Sequence, residues 1–244
     1  MTLHSFKQFC LRLAALSGLM LAVAAAQAMS FTPIEMDFTP SGRGATQVFR
    51  LENTTAEPVA VEVSVKARAM RPDGEDELTD ADDQFTVFPA QVVLQPGQVQ
   101  TIRAQYTGPA TIDRERAFRL IAEQLPIELG QAAGNGGRMR LLVKYVASVY
   151  VVPNGARPVI RAGEARVVTE SGSRWLEVAV TNEGTTRKIL KDARLELGGR
   201  TLSGAQLKGL DGENVLAGTT RRFRVPAPAD LAVPSGGAVR LSVQ

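Results

Sequence analysis

Residues 84–106 read QFTVFPAQVVLQPGQVQTIRAQY, and the three apolar runs inside that span decide the fold. Residues 84–88, 90–94 and 99–106 are separated only by Pro89 and by Pro96-Gly97, which punctuate a strand rather than continue it. Strands this short and closely spaced predict a β-sandwich, in which alternation packs one face of a sheet and leaves the other wet. The texture extends both ways. Residues 46–51 and 59–65 alternate apolar and polar side chains around a turn cluster at 53–58, and further strands are expected at 117–125 and 138–152. Pro153-Asn154-Gly155 marks an elbow. Beyond it, residues 165–169, 175–181, 193–197, 221–225 and 239–243 repeat the pattern over about 90 residues, enough for a second, smaller sandwich. No helical period is sustained; a single helical turn around 110–114 is the one exception expected. The fold class is therefore all-β, with two immunoglobulin-like sandwich domains at 29–153 and 154–244. Trp175, the only tryptophan, is expected to anchor the second core.

The first 28 residues stand outside that pattern. Lys7 and Arg12 precede an apolar run at 13–26, and Ala26-Gln27-Ala28 has the small-x-small form that signal peptidase reads. The run is shorter than the roughly 20 residues that span a bilayer, so a cleaved export signal is expected and no stable membrane insertion. The only cysteine, Cys10, and the only histidine, His4, leave with it. Residues 29–244 then contain neither a disulfide nor the makings of a Ser-His-Asp, Cys-His or thiolate–imidazole metal site. An enzyme is not expected, nor a cofactor. The formal charge of +3 falls to about +1 once Lys7 and Arg12 are removed, which is no nucleic-acid footprint.

Two stretches resemble ligand loops and lack the required order. DGEDELTDADD at 73–83 misses the alternating acids, glycine and terminal glutamate of a calcium loop, and is expected to be a solvated hairpin loop. QAAGNGG at 131–137 has no Lys-Ser or Lys-Thr after it, and so no phosphate cradle. The segment that follows, RMRLLVKYVASVYVV at 138–152, is about twice the usual strand length. Alternation puts Met139, Leu141, Val143 and Tyr145 on one side and Arg138, Arg140, Leu142 and Lys144 on the other. Such a row either fills its own core or lies at an edge where another chain can pair. Alternation alone leaves both open.

The chain resembles the periplasmic chaperones of the chaperone–usher pilus pathway. The resemblance rests first on FTVFPAQVVLQPGQVQTIR at 85–103, which is similar to that family's F-P-x-x-x-x-L-x-P-G-x-x-Q-x-x-R pattern. Asn53 with Pro58-Val59, FRLIAEQLP at 118–126 with Glu123 displaced by about a residue, and Thr181-Asn182-Glu183-Gly184 add to it. The resemblance implies a periplasmic protein of two immunoglobulin-like domains set in an L. It would bind pilus or spore-coat-like subunits, complete them with its long strand, and deliver them to an outer-membrane usher. It also implies that Met139, Leu141 and Val143 form the donor row. In the family's well-studied branch, an arginine in the first strand and a lysine late in the long strand hold the subunit's terminal carboxylate. Here the first strand, FTPIEMDF at 31–38, offers Glu35 and Asp37, and the lysine's place is taken by Ser148. LLVKY and SVYVVP resemble the divergent, archaic branch instead, with Arg119 and Lys144 as replacement anchors. A rival reading is a structural pilus component or adhesion module that self-associates through the same edge. A carbohydrate-binding sandwich is disfavoured because aromatic residues are only 5% of the chain, too few for a stacking platform.

Overall fold

The computed structural model describes residues 29–127, 141–233 and 239–244. The expected export signal at 1–28, Met139 and the glycine-rich 131–137 lie outside the described residues.

Among the described residues, the first half contains ten strands: β1 (Ser30–Thr32), β2 (Glu35–Phe38), β3 (Thr46–Glu52), β4 (Val59–Met70), β5 (Asp76–Asp80), β6 (Phe85–Phe88), β7 (Gln91–Leu94), β8 (Val99–Tyr106), β9 (Arg116–Gln124) and β10 (Lys144–Val151). They form two facing sheets. One is ordered β1-β3-β8-β6; the other is β2-β10-β9-β4-β5, with β7 also paired to β4. Between them lies a continuous core that runs from Met29 to Val151. Phe85 is its hub, meeting Phe38, Tyr106 and Phe118 edge-on at centroid distances of 5.4, 5.3 and 4.9 Å. Each such pair adds about 1 kcal/mol beyond area burial. Through Phe38 this cluster fixes the end of β2, where that strand lies beside Val151 of β10.

The second half contains β11 (Ile160–Glu170), β12 (Ser173–Asn182), β13 (Lys188–Ile189), β14 (Arg194–Leu197), β15 (Arg200–Ser203), β16 (Asn214–Val215), β17 (Thr220–Pro226) and β18 (Arg240–Ser242). The sheet β11-β12-β17 faces the pairs β13-β16 and β15-β14-β18 across a second, separate core. Both sandwiches turn on the same buried asparagine. Asn53 donates its amide to Glu57 and Leu94 carbonyls and accepts from Thr55 N–H; Asn182 donates to Thr186 and Val215 carbonyls and accepts from Gly184 and Val159 N–H. Gly184 is required there, since a Cβ would lie 2.3 Å from the Arg157 carbonyl.

Four expectations change. Trp175 is not in the second core: Leu176, Val178 and Val180 point inward, so strand alternation places Trp175 outward with Glu177, under the Arg224 guanidinium at 5.1 Å. Residues 110–114 form no helix, and the short 3-10 turns lie instead at Arg43–Ala45 and Gly204–Leu207. The acidic stretch is not a loop throughout, because β5 pairs with β4 and Ala81 is buried. The long strand begins at Lys144 rather than near Arg138 among the described residues. Its partner β9 runs out at Pro126, which has no N–H to give a ladder, and the last shared bond is Gln124 N–H to the Val143 carbonyl, 3.0 Å.

Candidate functional site

The site grows from a strand that changes sheets. β1 pairs with β3 in one sheet and β2 runs parallel to β10 in the other. The chain crosses between them at Thr32–Pro33, a cis peptide. Because the crossing comes so early, β2 covers only Ser148 to Val151 of β10, whereas β9 covers Lys144 to Val151. Two bonds set the parity: Ser148 N–H donates to the Ile34 carbonyl and Gln124 N–H to the Val143 carbonyl. Even-numbered residues of β10 therefore turn their peptide groups toward the β2 side. The peptide groups of Lys144 and Val146 consequently have no strand partner among the described residues. An open row of donors and acceptors is a template for another strand.

Apolar side chains surround this open edge. Leu141 is 82% exposed, and Ile34, Leu142 and Val146 are exposed as well. Val143 and Tyr145 are partly buried against the first core. Odd side chains from 143 to 151 thus follow one row that is buried at Ala147 and opens progressively toward Leu141. Of the expected donor residues, Leu141 and Val143 sit on this row and Met139 lies outside the described residues.

The expected anchors Arg119 and Lys144 share the outer face of the same sheet but do not converge. Lys144 stands opposite Glu123 and pairs with it at 3.1 Å, both side chains half exposed. Arg119 stands opposite Ser148, about 13 Å further along the strand. Its guanidinium donates to the Ser148 hydroxyl and binds Asp76, with Nη2 to Oδ2 at 2.6 Å. The other Asp76 oxygen takes Arg68 Nε at 2.6 Å. Arg68 in turn donates to the Tyr150 hydroxyl at 3.3 Å. Asp76 comes from the acidic stretch, and nothing in its local spacing marks it; only the β4–β5 register brings it between two arginines.

This cluster abuts the junction of the two halves. Arg187, between β12 and β13, binds Glu115 at 2.9 Å, Asp37 at 2.8 Å and Glu35 at 3.1 Å, and lies 3.6 Å from the Tyr150 ring centroid. Burial alone would lower its pKa, but the surrounding carboxylates, Glu115 and Asp37 foremost, outweigh that and raise it. Glu115 is almost wholly buried and also accepts from the Thr186 hydroxyl at 2.5 Å. Met70, Tyr150 and Leu216 form a small apolar cluster beside it. The tip of the β4–β5 hairpin docks as well: Arg222 N–H donates to the Pro72 carbonyl, and Gly74 (φ +90°) leaves room that Arg221 fills, its Nη2 only 2.1 Å from where a Cβ would stand. Glu35 and Asp37, the acids standing where a first-strand arginine was absent, are thus committed to the joint. No cluster of His, Cys, Asp or Glu suited to a metal ion occurs among the described residues. Among them, too, no helix is long and apolar enough to cross a membrane.

Residues 38–157 match the family model of the pili and flagellar-assembly chaperone, PapD N-terminal domain. No curated protein matches the chain. Among solved structures, the class 5 fimbriae chaperone CfaA aligns at TM-score 0.56 and 14% identity, over 89% of this chain and 100% of that one. A chain of the CsuC–CsuE chaperone–tip adhesion subunit complex of archaic Csu pili from Acinetobacter baumannii aligns at 0.56 and 15%, over 88% and 97%. A chain of the Salmonella enterica SafA pilin–SafB chaperone complex aligns at 0.52 and 18%, over 82% and 85%. At these identities the likeness is one of fold: two all-β domains over the full length.

Proposed function

We propose that this chain, a PapD-like pilus chaperone of the chaperone–usher pathway, captures pilus subunits by lending them the open side of β10. The family is not enzymatic, and the role is one of binding. The observation that supports strand lending is the unmatched peptide row at Lys144 and Val146, bordered by exposed Leu141. A subunit strand laid along that row gains backbone hydrogen bonds, and Met139, Leu141 and Val143 enter its groove in alternation. The domains divide between Pro153 and Asn154, so the first carries the donor strand. Delivery to an outer-membrane usher completes the cycle. Affinity-tagged protein recovered from periplasmic extract should carry a polypeptide related to pilus or spore-coat-like subunits. Recovery of the purified protein itself as fibres would favour the rival reading, a pilus component that self-associates through the same edge.

Arg119 is the better placed of the two anchors for a subunit carboxylate, because it lies beside Ser148 and little of it is exposed. Lys144, half exposed and already paired, offers a weaker second contact further along. Arg119→Ala should therefore weaken subunit capture by at least about tenfold, a loss typical of removing one member of a desolvated charge pair. Lys144→Ala and Arg138→Ala should each change it less than about threefold. Pull-down titration of the three variants decides the matter, and equal mild effects from all three would remove the carboxylate anchor.

Residence in the periplasm follows the family and the signal-like first 28 residues. N-terminal sequencing of exported protein should begin at Met29. Full-length protein retained in membranes would overturn that.

A further inference from the structure

We infer that Asp76 is a built-in carboxylate ligand that fills the Arg68–Arg119 seat of the unloaded protein, and that an incoming polypeptide carboxylate binds there by exchange with it. This rests on the reading of Arg119 as an anchor.

The geometry is that of an occupied anion site. Each oxygen of Asp76 faces a different guanidinium, Oδ1 to Arg68 Nε at 2.6 Å and Oδ2 to Arg119 Nη2 at 2.6 Å and Nε at 2.8 Å. Charge-assisted contacts of this kind, from two guanidiniums to one carboxylate, are what a carboxylate-binding site supplies to a ligand. Arg68 and Arg119 come from neighbouring central strands, β4 and β9, whose ladder holds them in place. Ser148 and Tyr150 hydroxyls, both from β10, brace the two guanidiniums from the other side. The receptor half of the site is thus rigid.

The ligand half is not built that way. Asp76 is the first residue of β5, a strand at the sheet edge whose other residues are mostly exposed. β5 pairs with β4 alone, and Asp76 sits at the turn end of that ladder, opposite Met70 and next to the Arg71 N–H to Glu75 carbonyl bond. With every later residue of β5 exposed, few buried contacts hold this strand, which is the property of a segment that opens at low cost. Asp76 can therefore leave while Arg68 and Arg119 stay. A departing Asp76 also releases the hairpin tip at Pro72 and Gly74, which rests on Arg221 and Arg222 of the second half. Filling the seat with a foreign carboxylate is in this way linked to the contact between the halves.

The experiment empties the seat and offers a replacement. Full-length exported protein carrying Asp76→Ala is titrated with N-acetylphenylalanine, a small mimic of a chain terminus, and with its neutral amide, following the melting temperature and heat of binding at constant ionic strength. The acid should bind the variant at least about tenfold more tightly than it binds the wild type, where Asp76 competes, and should raise the variant's melting temperature as a ligand of the folded state does. The amide should do neither, and Arg119→Ala added to Asp76→Ala should abolish the response. Equal binding of acid and amide, or wild type binding the acid as tightly as the variant, overturns the proposal. Should Asp76→Ala not fold, Asp76→Asn keeps the side-chain volume and removes the charge, and the same comparison decides. None of these measurements involves the β10 edge, so failure here leaves strand lending to its own test.

Discussion

Leu141→Asp abolishes capture of a pilus subunit while leaving the unloaded protein as stable as the wild type. The first half of that result follows from what a groove in a partner does to a carboxylate. Leu141 lies on the row that would enter the partner, and a charge buried there without a counter-ion costs several kcal/mol. A loss of about 4 kcal/mol is close to a thousandfold in affinity. The second half follows from the present environment of the residue. At 82% exposed and outside the β10–β9 ladder, Leu141 contributes almost nothing to the fold, and surface changes of this kind stay within about 0.5 kcal/mol. Val143→Asp is the less clean probe, since Val143 packs against the first core and its replacement also destabilises the free protein. Co-expression with a pilus subunit, pull-down and a thermal melt of the variant alone give both readings. A Leu141→Asp protein that still captures subunits would sink the donor role of this row.

Arg187→Ala is expected to have the other large effect, on the joint. Removing the guanidinium leaves Glu115 buried with only the Thr186 hydroxyl and a backbone N–H, and uncovers Glu35 and Asp37 together. An uncompensated buried charge of this type costs about 3 kcal/mol or more. The loss should appear as uncoupling of the two halves. Trp175 reports only on the second, so its fluorescence transition should separate from the far-ultraviolet circular dichroism transition, which weights both. Glu115→Gln in the same chain should recover part of the loss, because the buried charge is then gone. Coincident transitions and unchanged stability in Arg187→Ala would show that the joint rests on the apolar contact of Met70, Tyr150 and Leu216 instead.

How far the sequence could be read depended on range. The strands around Pro89 and Pro96-Gly97 were legible because proline and glycine act locally, whatever the rest of the chain does. Trp175 shows the limit of composition as a guide: a lone tryptophan suggests a core anchor, whereas alternation with Leu176, Val178 and Val180 puts it outward. The start of β10 was not legible from residues 138–152 alone, since the ladder ends where Pro126 stops the partner strand, and apolar alternation carries no record of its partner's length. The side chains around the anchor were out of reach for the same reason. Asp76 and Arg119 are 43 positions apart, and Glu115 and Arg187 are 72 apart. Their meeting depends on register and on how the two halves dock, neither of which leaves a spacing to recognise.

The charged groups of the Arg187 joint with Glu115, Glu35 and Asp37, and of the Arg68 and Arg119 seat around Asp76, are guanidiniums and carboxylates alone. Residues 29–244 contain no histidine and no cysteine, the two side chains whose charge most readily changes near pH 7. Burial lowers the pKa of Arg187 and the surrounding carboxylates raise it by more, so the guanidinium stays cationic. Neither the joint nor the seat can therefore be switched by an imidazole or a thiol of residues 29–244.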